Sequence, residues 1–166
     1  MKEEVILIDK SNKKIGTAEK LKAHQVGQRH RAFSLFIFNQ GGELLIQKRA
    51  KNKYHSAGLW SNTVCGHPRP KENYIQAAHR RLKEEMGFDC KLKKIFCFDY
   101  NVKLANGLVE NEYDCVYTGR YDEKIKPNPK EVAAYKYIGL EKLEKDIRLQ
   151  PSRYSVWLKI VLPKIK

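Results

Sequence analysis

A mixed sheet flanked by helices, in the α/β (α+β) class, is what this chain of 166 residues predicts. Three patterns carry the expectation: two stretches that read as strand hairpins, an amphipathic helix between them, and two further helical stretches after the last strand. The first hairpin is FSLFIFNQGGELLIQKR. Its apolar run spans Phe33 to Phe38, a turn follows at Asn39 to Gly42 where glycine permits positive φ, and a strand runs from Glu43 to Lys48. The helix runs from about Tyr74 to Met86, because Ile75, Ala78 and Leu82 recur at helical spacing and Gly87 stands where a C-terminal cap belongs. The second hairpin is KKIFCFDYNVKLANGLVENEYDCVYTGRY, with Asn106-Gly107 as its tight turn. Lys126 to Pro129 reads as a loop and Ala134 to Ile138 as a short strand. A charged helix from Leu140 to Ile147 follows, then a last helix from about Ser152 to Leu162 carrying Tyr154, Trp157, Leu158 and Val161.

The length suits one domain with one substantial core, residues 1–166. Thirty-three Lys and Arg against nineteen Asp and Glu give a formal charge of +14, which favours an anionic ligand, a nucleic acid or an acidic surface without choosing among them. The basic residues are spread along the chain, and there is no repeat, low-complexity block or long apolar run. MKEEVILID is too short in its apolar run and too acidic in its flank for a signal peptide, so a cytoplasmic protein is expected. Cysteines at 65, 90, 97 and 115 form no C-x-x-C pair, so reduced thiols are expected, with Cys90, Cys97 and Cys115 as small buried hydrophobes.

VENEY places Glu110 and Glu112 two apart on a strand, hence on one face, where two like charges need a cation, a shared proton or solvent. His24 (in KAH), His30 (in RHRAF) and His67 (in CGHP) supply three imidazoles. Singly, each reads as a half-buried hydrogen-bonding residue. With both glutamates they make an N and O donor set for Zn²⁺, Mn²⁺, Fe²⁺ or Mg²⁺. His55, in a loop, and His79, inside the helix, read as uninvolved. Cys65, at the entry to an anion-binding segment, is either a small buried hydrophobe or a thiolate stabilised by nearby cations. Lys20, Arg49, Lys53 and Arg81 are candidates for gripping phosphate, with an i,i+4 ion pair to Glu85 the alternative for Arg81. Glu84 and Glu85, in the last turn of the helix, are candidates for a Mg²⁺ held between one carboxylate and an anionic ligand. Trp60 and Trp157 read as core.

Residues 66–88, GHPRPKENYIQAAHRRLKEEMGF, match the Nudix signature at every fixed place except Arg81, where the pattern has Glu. A hydrolase of that kind needs the carboxylate to gather Mg²⁺, whereas an arginine repels metal and attracts phosphate. The substitution therefore points away from hydrolysis. Together with EKLKAH, HRAFS, QKRAKNK, GLWSNTVCGHP, VENE and YSVW, these residues resemble type I isopentenyl-diphosphate isomerase, a Nudix-fold enzyme of isoprenoid synthesis, over nearly the whole chain. The segment between His24 and His30 is one residue shorter than in some relatives.

The resemblance implies that Cys65 and Glu112 are the catalytic acid/base groups and that His24, His30, His67, Glu110 and Glu112 bind a divalent metal. It further implies that Glu85 meets the Mg²⁺ carried by the substrate, that Lys20, Arg49, Lys53 and Arg81 contact the diphosphate, that Tyr100 assists Glu112, and that Trp157 lies beside a carbocation. In that scheme Glu112 delivers a proton and Cys65 removes another from the far face. No redox cofactor, nucleic acid or membrane is expected, and the chain acts as a monomer or weak homodimer. The rival readings are a Nudix hydrolase of a nucleoside diphosphate derivative and an RNA-binding module. The second needs exposed aromatics among its basic residues, whereas the tyrosines and phenylalanines here fall mostly on apolar faces.

Overall fold

The computed structural model describes residues 3–53 and 55–165. Strand β3 (His30–Phe38) is the centre of the sheet. Its residues from Phe33 to Ile37 are buried on both faces, as a run apolar at every position but Ser34 suits, and Ser34 Oγ donates to the buried Asp114. Phe33, Leu35 and Ile37 join one core with helix α2 (Tyr74–Met86), while Phe36 joins a second with α3 (Leu140–Leu149) and α4 (Val156–Val161).

The expected first hairpin exists only at its base. Between β3 and β4 (Leu44–Arg49) the one paired position is Phe38↔Leu44. Beyond it the two strands splay, and the segment carrying β5 (Trp60–Ser61) and β6 (Val64–Gly66) wedges between them, with β5 on β4 and β6 on β3. Polar side chains stitch the wedge in place. Thr63 Oγ1 donates to the Leu45 carbonyl (2.6 Å) and accepts from the Ile37 amide (2.9 Å). Asn62 Nδ2 donates to the carbonyls of Leu35 (3.1 Å) and Val64 (2.8 Å). These side chains satisfy backbone groups that lost their ladder partners when the strands parted.

Helix α2 has the expected limits. Asn73 caps its start in a reciprocal capping box with Gln76, a cap worth about 1 kcal/mol, and Gly87 closes it at φ 75°. The second hairpin is also present, as β7 (Leu92–Lys103) and β8 (Val109–Arg120), and β8 runs parallel to β3 over nine positions from His30↔Glu112 to Phe38↔Arg120. Strand β9 (Val132–Ile138) pairs with β4.

Three elements at the N-terminal end had no counterpart in the sequence reading: β1 (Glu4–Ile8), β2 (Lys14–Glu19) and α1 (Lys20–Val26). The expected last helix is broken. Pro151–Arg153 is a 3₁₀ turn, Tyr154 bridges to Trp60, and only Val156–Val161 is α-helical. The expectation of reduced thiols is overturned for one pair, because Cys97 and Cys115 stand directly opposite one another on β7 and β8, Cα atoms 4.1 Å apart, and are joined by a disulfide. Cys65 and Cys90 are free.

Candidate active site and metal centre

The register of β3, β7 and β8 builds a cluster of histidines and glutamates. His30 lies beside Glu112 on one side and Tyr100 lies beside Glu112 on the other, so all three share a face. Glu110 follows two residues before on the same face. Helix α1 ends at Val26, Gly27 takes the left-handed conformation at φ 69°, and the short return brings His24 against His30, ring centroids 4.7 Å apart. His67 arrives from the residue after β6 and places Nε2 2.8 Å from Glu112 Oε1.

Four of the five expected ligands, His24, His30, His67 and Glu112, offer donor atoms within 4.8 Å of one another, and all four are buried. The fifth, Glu110, sets Oε2 3.3 Å from His24 Nε2. The donor chemistry fits a divalent ion. His24 Nδ1 contacts the Lys20 carbonyl and His30 Nδ1 the Gln28 carbonyl, each at 2.7 Å, which turns Nε2 of both rings into the cluster, where an ion would take the place of a proton. Both Nε2 atoms are buried and face carboxylates, His24 toward Glu110 and His30 toward Glu112 Oε1 at 3.4 Å. Imidazole nitrogens crowded against two buried carboxylates are a donor set that a divalent cation satisfies. Burial, reinforced by the charges of His30, Lys20 and His24, pushes His67 well below the usual imidazole range, which favours the neutral ring there.

Next to the cluster lies a cavity whose lining includes Cys65, Tyr100, Glu112 and Trp157 together with Lys20, Arg49, Lys53, Arg81 and Glu85. Cys65 pairs with Ser34 across one edge of β3, and Glu112 sits beyond the other edge, so thiol and carboxylate reach the same cavity from strands separated by roughly 10 Å of sheet. Tyr100 Oη donates to Glu112 Oε2 at 2.5 Å. Burial and the neighbouring carboxylates push Tyr100 far up, which keeps it protonated. Burial raises Glu112 as well, but the hydrogen bond and charge of His30 outweigh it and hold Glu112 at about 2.

Of the two states left open for Cys65, burial disfavours the thiolate. Burial, reinforced by Glu85, Glu112 and Glu110 and only partly opposed by Arg49, pushes the Cys65 thiol up to about 12. In the resting site the proton is therefore on sulfur and Glu112 is ionised.

The basic residues at the other end of the cavity are not free charges. Arg81 contacts Glu84 (2.9 Å), Glu85 (2.5 Å) and Glu131 (3.1 Å), and Lys53 bonds to the same Glu131. Lys20 pairs with Glu3 at 3.0 Å. Glu85 is held on its second oxygen by Gln47 Nε2 at 2.7 Å. Arg80 pairs with Glu84 at 3.1 Å and with Glu72. Neither Glu131 nor Gln47 stood out in the sequence, since each is an isolated polar residue on a strand or its approach.

Trp157 is oriented by the same wedge that separates the central strands. Its Nε1 donates to Ser61 Oγ (2.8 Å) and Asn62 Oδ1 (3.1 Å), and the Arg49 guanidinium lies over the ring at 5.2 Å. Ring and cation thus already pair on one face. His55, expected to be uninvolved, lines the cavity, and its Nδ1 lies 3.8 Å from Glu110 Oε1. His79 is on the surface, paired with Asp89 at 2.6 Å. Among the described residues no helix is long and apolar enough to cross a membrane.

Comparison with known proteins gives a consistent picture. Residues 28–158 match the NUDIX domain family. The chain is 52% identical over 162 residues to isopentenyl-diphosphate Delta-isomerase 2 of Photorhabdus laumondii, spanning 98% of this chain and 92% of that one. It is 48% identical over 165 residues to isopentenyl-diphosphate Delta-isomerase 2 of Aromatoleum aromaticum, spanning 99% and 87%. In three dimensions it resembles the crystal structure of a Deinococcus radiodurans protein, with a TM-score of 0.78 at 19% identity over 96% of this chain and 97% of that one, which speaks to fold alone.

Proposed function

The chain belongs to the isopentenyl-diphosphate Delta-isomerase family of NUDIX domain proteins, and from that premise we propose that it interconverts isopentenyl and dimethylallyl diphosphate by moving protons between two sides of one cavity. The observation that carries the reading is the convergence of Cys65 on one side and the hydrogen-bonded pair Glu112 and Tyr100 on the other, with Arg49, Lys53, Arg81 and Lys20 lining the same cavity.

An unactivated alkene is a weak base, so the reaction needs a strong acid, a poised acceptor and a pocket that keeps water from the cation. Protonation of the terminal carbon C4 creates a tertiary cation at C3, and loss of a proton from C2 re-forms the double bond one position along. Glu112 with Tyr100 serves the C4 proton and Cys65 the C2 proton, and the reverse reaction exchanges donor and acceptor. Because the resting proton is on sulfur, the forward direction requires Cys65 first to give up its proton and Glu112 to take one up, a net transfer from sulfur to carboxylate that leaves the thiolate able to accept from C2, with the Tyr100 hydroxyl held against the carboxylate. The indole of Trp157, which lines the cavity, stabilises the cation, an interaction worth about 2 kcal/mol when dry.

His24, His30, His67, Glu110 and Glu112 are the residues that would hold a divalent ion, Mg²⁺, Mn²⁺ or Zn²⁺, whose charge makes a neutral Glu112 a stronger acid. Glu85 is the carboxylate for a Mg²⁺ brought by the diphosphate. Arg49, Lys53, Arg81 and Lys20 grip the phosphate oxygens, with Lys53 and Arg81 leaving Glu131 for the stronger anion. We read the enzyme as a single cytoplasmic domain, a monomer or weak homodimer, acting on this small diphosphate without nucleic acid or membrane.

Incubation of the purified protein with isopentenyl diphosphate and Mg²⁺ is expected to yield dimethylallyl diphosphate with no release of phosphate, followed by NMR. Liberated phosphate without the isomer would instead identify a hydrolase.

A further inference from the structure

His55 lies in the loop between β4 and β5, yet its side chain is only 9% exposed. The loop is tied at its base, where the Arg49 amide bonds to the Leu59 carbonyl (2.9 Å) and the Gly58 amide to the Arg49 carbonyl (3.1 Å). The Arg49 side chain then donates to the His55 carbonyl itself (3.3 Å). Ser56 holds a positive φ of 50°, a strained setting for a residue with a Cβ, as the chain turns back past the cavity. So much fixing of a loop implies that the ring it delivers has a defined place.

That place is between the metal cluster and the aromatic wall. The His55 ring stacks beside His24, centroids 6.0 Å apart and planes 24° apart, and meets Trp157 edge to face at 5.7 Å. The two oxygens of Glu110 are divided between neighbours: Oε2 faces His24 Nε2 at 3.3 Å, and Oε1 faces His55 Nδ1 at 3.8 Å. His55 is not among the residues whose donor atoms converge. It stands one layer behind them.

We propose that His55 is a positioning residue of the metal centre, holding the outer oxygen of Glu110 and the edge of the Trp157 ring in one frame so that ion retention and the wall of the reaction cavity are set together. The inference rests on reading the His and Glu cluster as a metal site. A carboxylate that gives one oxygen to an ion rotates freely unless its other oxygen is engaged, and loss of such an outer partner costs about 10–100-fold in metal affinity. The ring contact gives the same side chain a second effect, on the tilt of the indole.

The test is Mn²⁺ binding alone, with free Mn²⁺ followed by its EPR signal, for the wild type and for His55→Phe, His55→Ala and His55→Gln. Phenylalanine keeps the ring packing and removes the nitrogen. The expected result is Mn²⁺ affinity lowered about 10–100-fold in the Phe and Ala variants, with partial recovery in the Gln variant, whose amide can reach Glu110, and with the melting of metal-free His55→Phe unchanged. Wild-type affinity in His55→Phe would overturn the inference while leaving the metal centre standing. A wild type that takes up no Mn²⁺ would overturn both.

Discussion

Replacing Cys65 with alanine will lower kcat by about 10²–10⁴-fold, the usual contribution of a group that moves a proton in the transition state, while KM changes little. The separation follows from the layout of the cavity. Cys65 is held on β6 opposite Ser34, whereas the residues assigned to the diphosphate come from α1, the end of β4, the following loop and α2. Removing one sulfur leaves those contacts in place, so binding measured by calorimetry should survive. The variant also discriminates between the two readings of this cysteine. Were Cys65 only a small apolar filler, alanine would cost packing and little rate. A turnover number within a few-fold of wild type would remove the thiol from the mechanism.

The larger loss is expected for Glu112→Gln, because that carboxylate holds two jobs at once. Its Oε1 lies 2.8 Å from His67 Nε2 and 3.4 Å from His30 Nε2, and its Oε2 accepts from Tyr100 at 2.5 Å. An amide can neither carry the transferred proton nor present a second negatively charged oxygen to an ion. Proton transfer alone predicts a fall of about 10²–10⁴-fold in kcat. Mn²⁺ affinity should fall along with it, so added metal should restore binding of the ion without restoring turnover. A variant rescued fully by excess metal would leave Glu112 as a ligand only.

The fold was most legible where local chemistry punctuates the chain. Gly87 and the apolar spacing fixed α2, and Asn106-Gly107 fixed the second hairpin. That turn also contained more than was taken from it: a hairpin centred on residue 106 sets Tyr100 opposite Glu112 and Cys97 opposite Cys115, so both the acid pair and the disulfide follow from register. Strands β5 and β6 were not legible, since two or three residues show no period, and what holds them is the tertiary stitching by Asn62 and Thr63. The first hairpin misled because adjacent apolar strands joined by a short turn ordinarily stay paired, and here that inserted segment parts them. The broken C-terminal helix follows from Pro151 and from Tyr154 bridging to Trp60.

Within the site, residue types were readable and their states were not. Three histidines and two glutamates were identifiable as a donor set, but the protonated thiol of Cys65 depends on burial that no short motif encodes. Glu131, which ties down Lys53 and Arg81, and His55, behind Glu110, are single residues in a strand approach and a loop, and their roles come only from what the fold brings beside them.

The central claim is that the two proton carriers face the substrate from opposite sides. Isopentenyl diphosphate labelled with deuterium at one chosen C2 position, and stereospecifically at C4, tests it directly when turned over in tritiated water, with loss of the C2 label read by NMR and the face of addition read from the handedness of the CHDT methyl group formed at C4. Loss of a single one of the two C2 hydrogens, with the new hydrogen at C4 arriving on the other face of the allylic unit, is the predicted outcome. Addition and removal on the same face would mean that one group handles both protons, and would contradict a mechanism shared between Cys65 and Glu112.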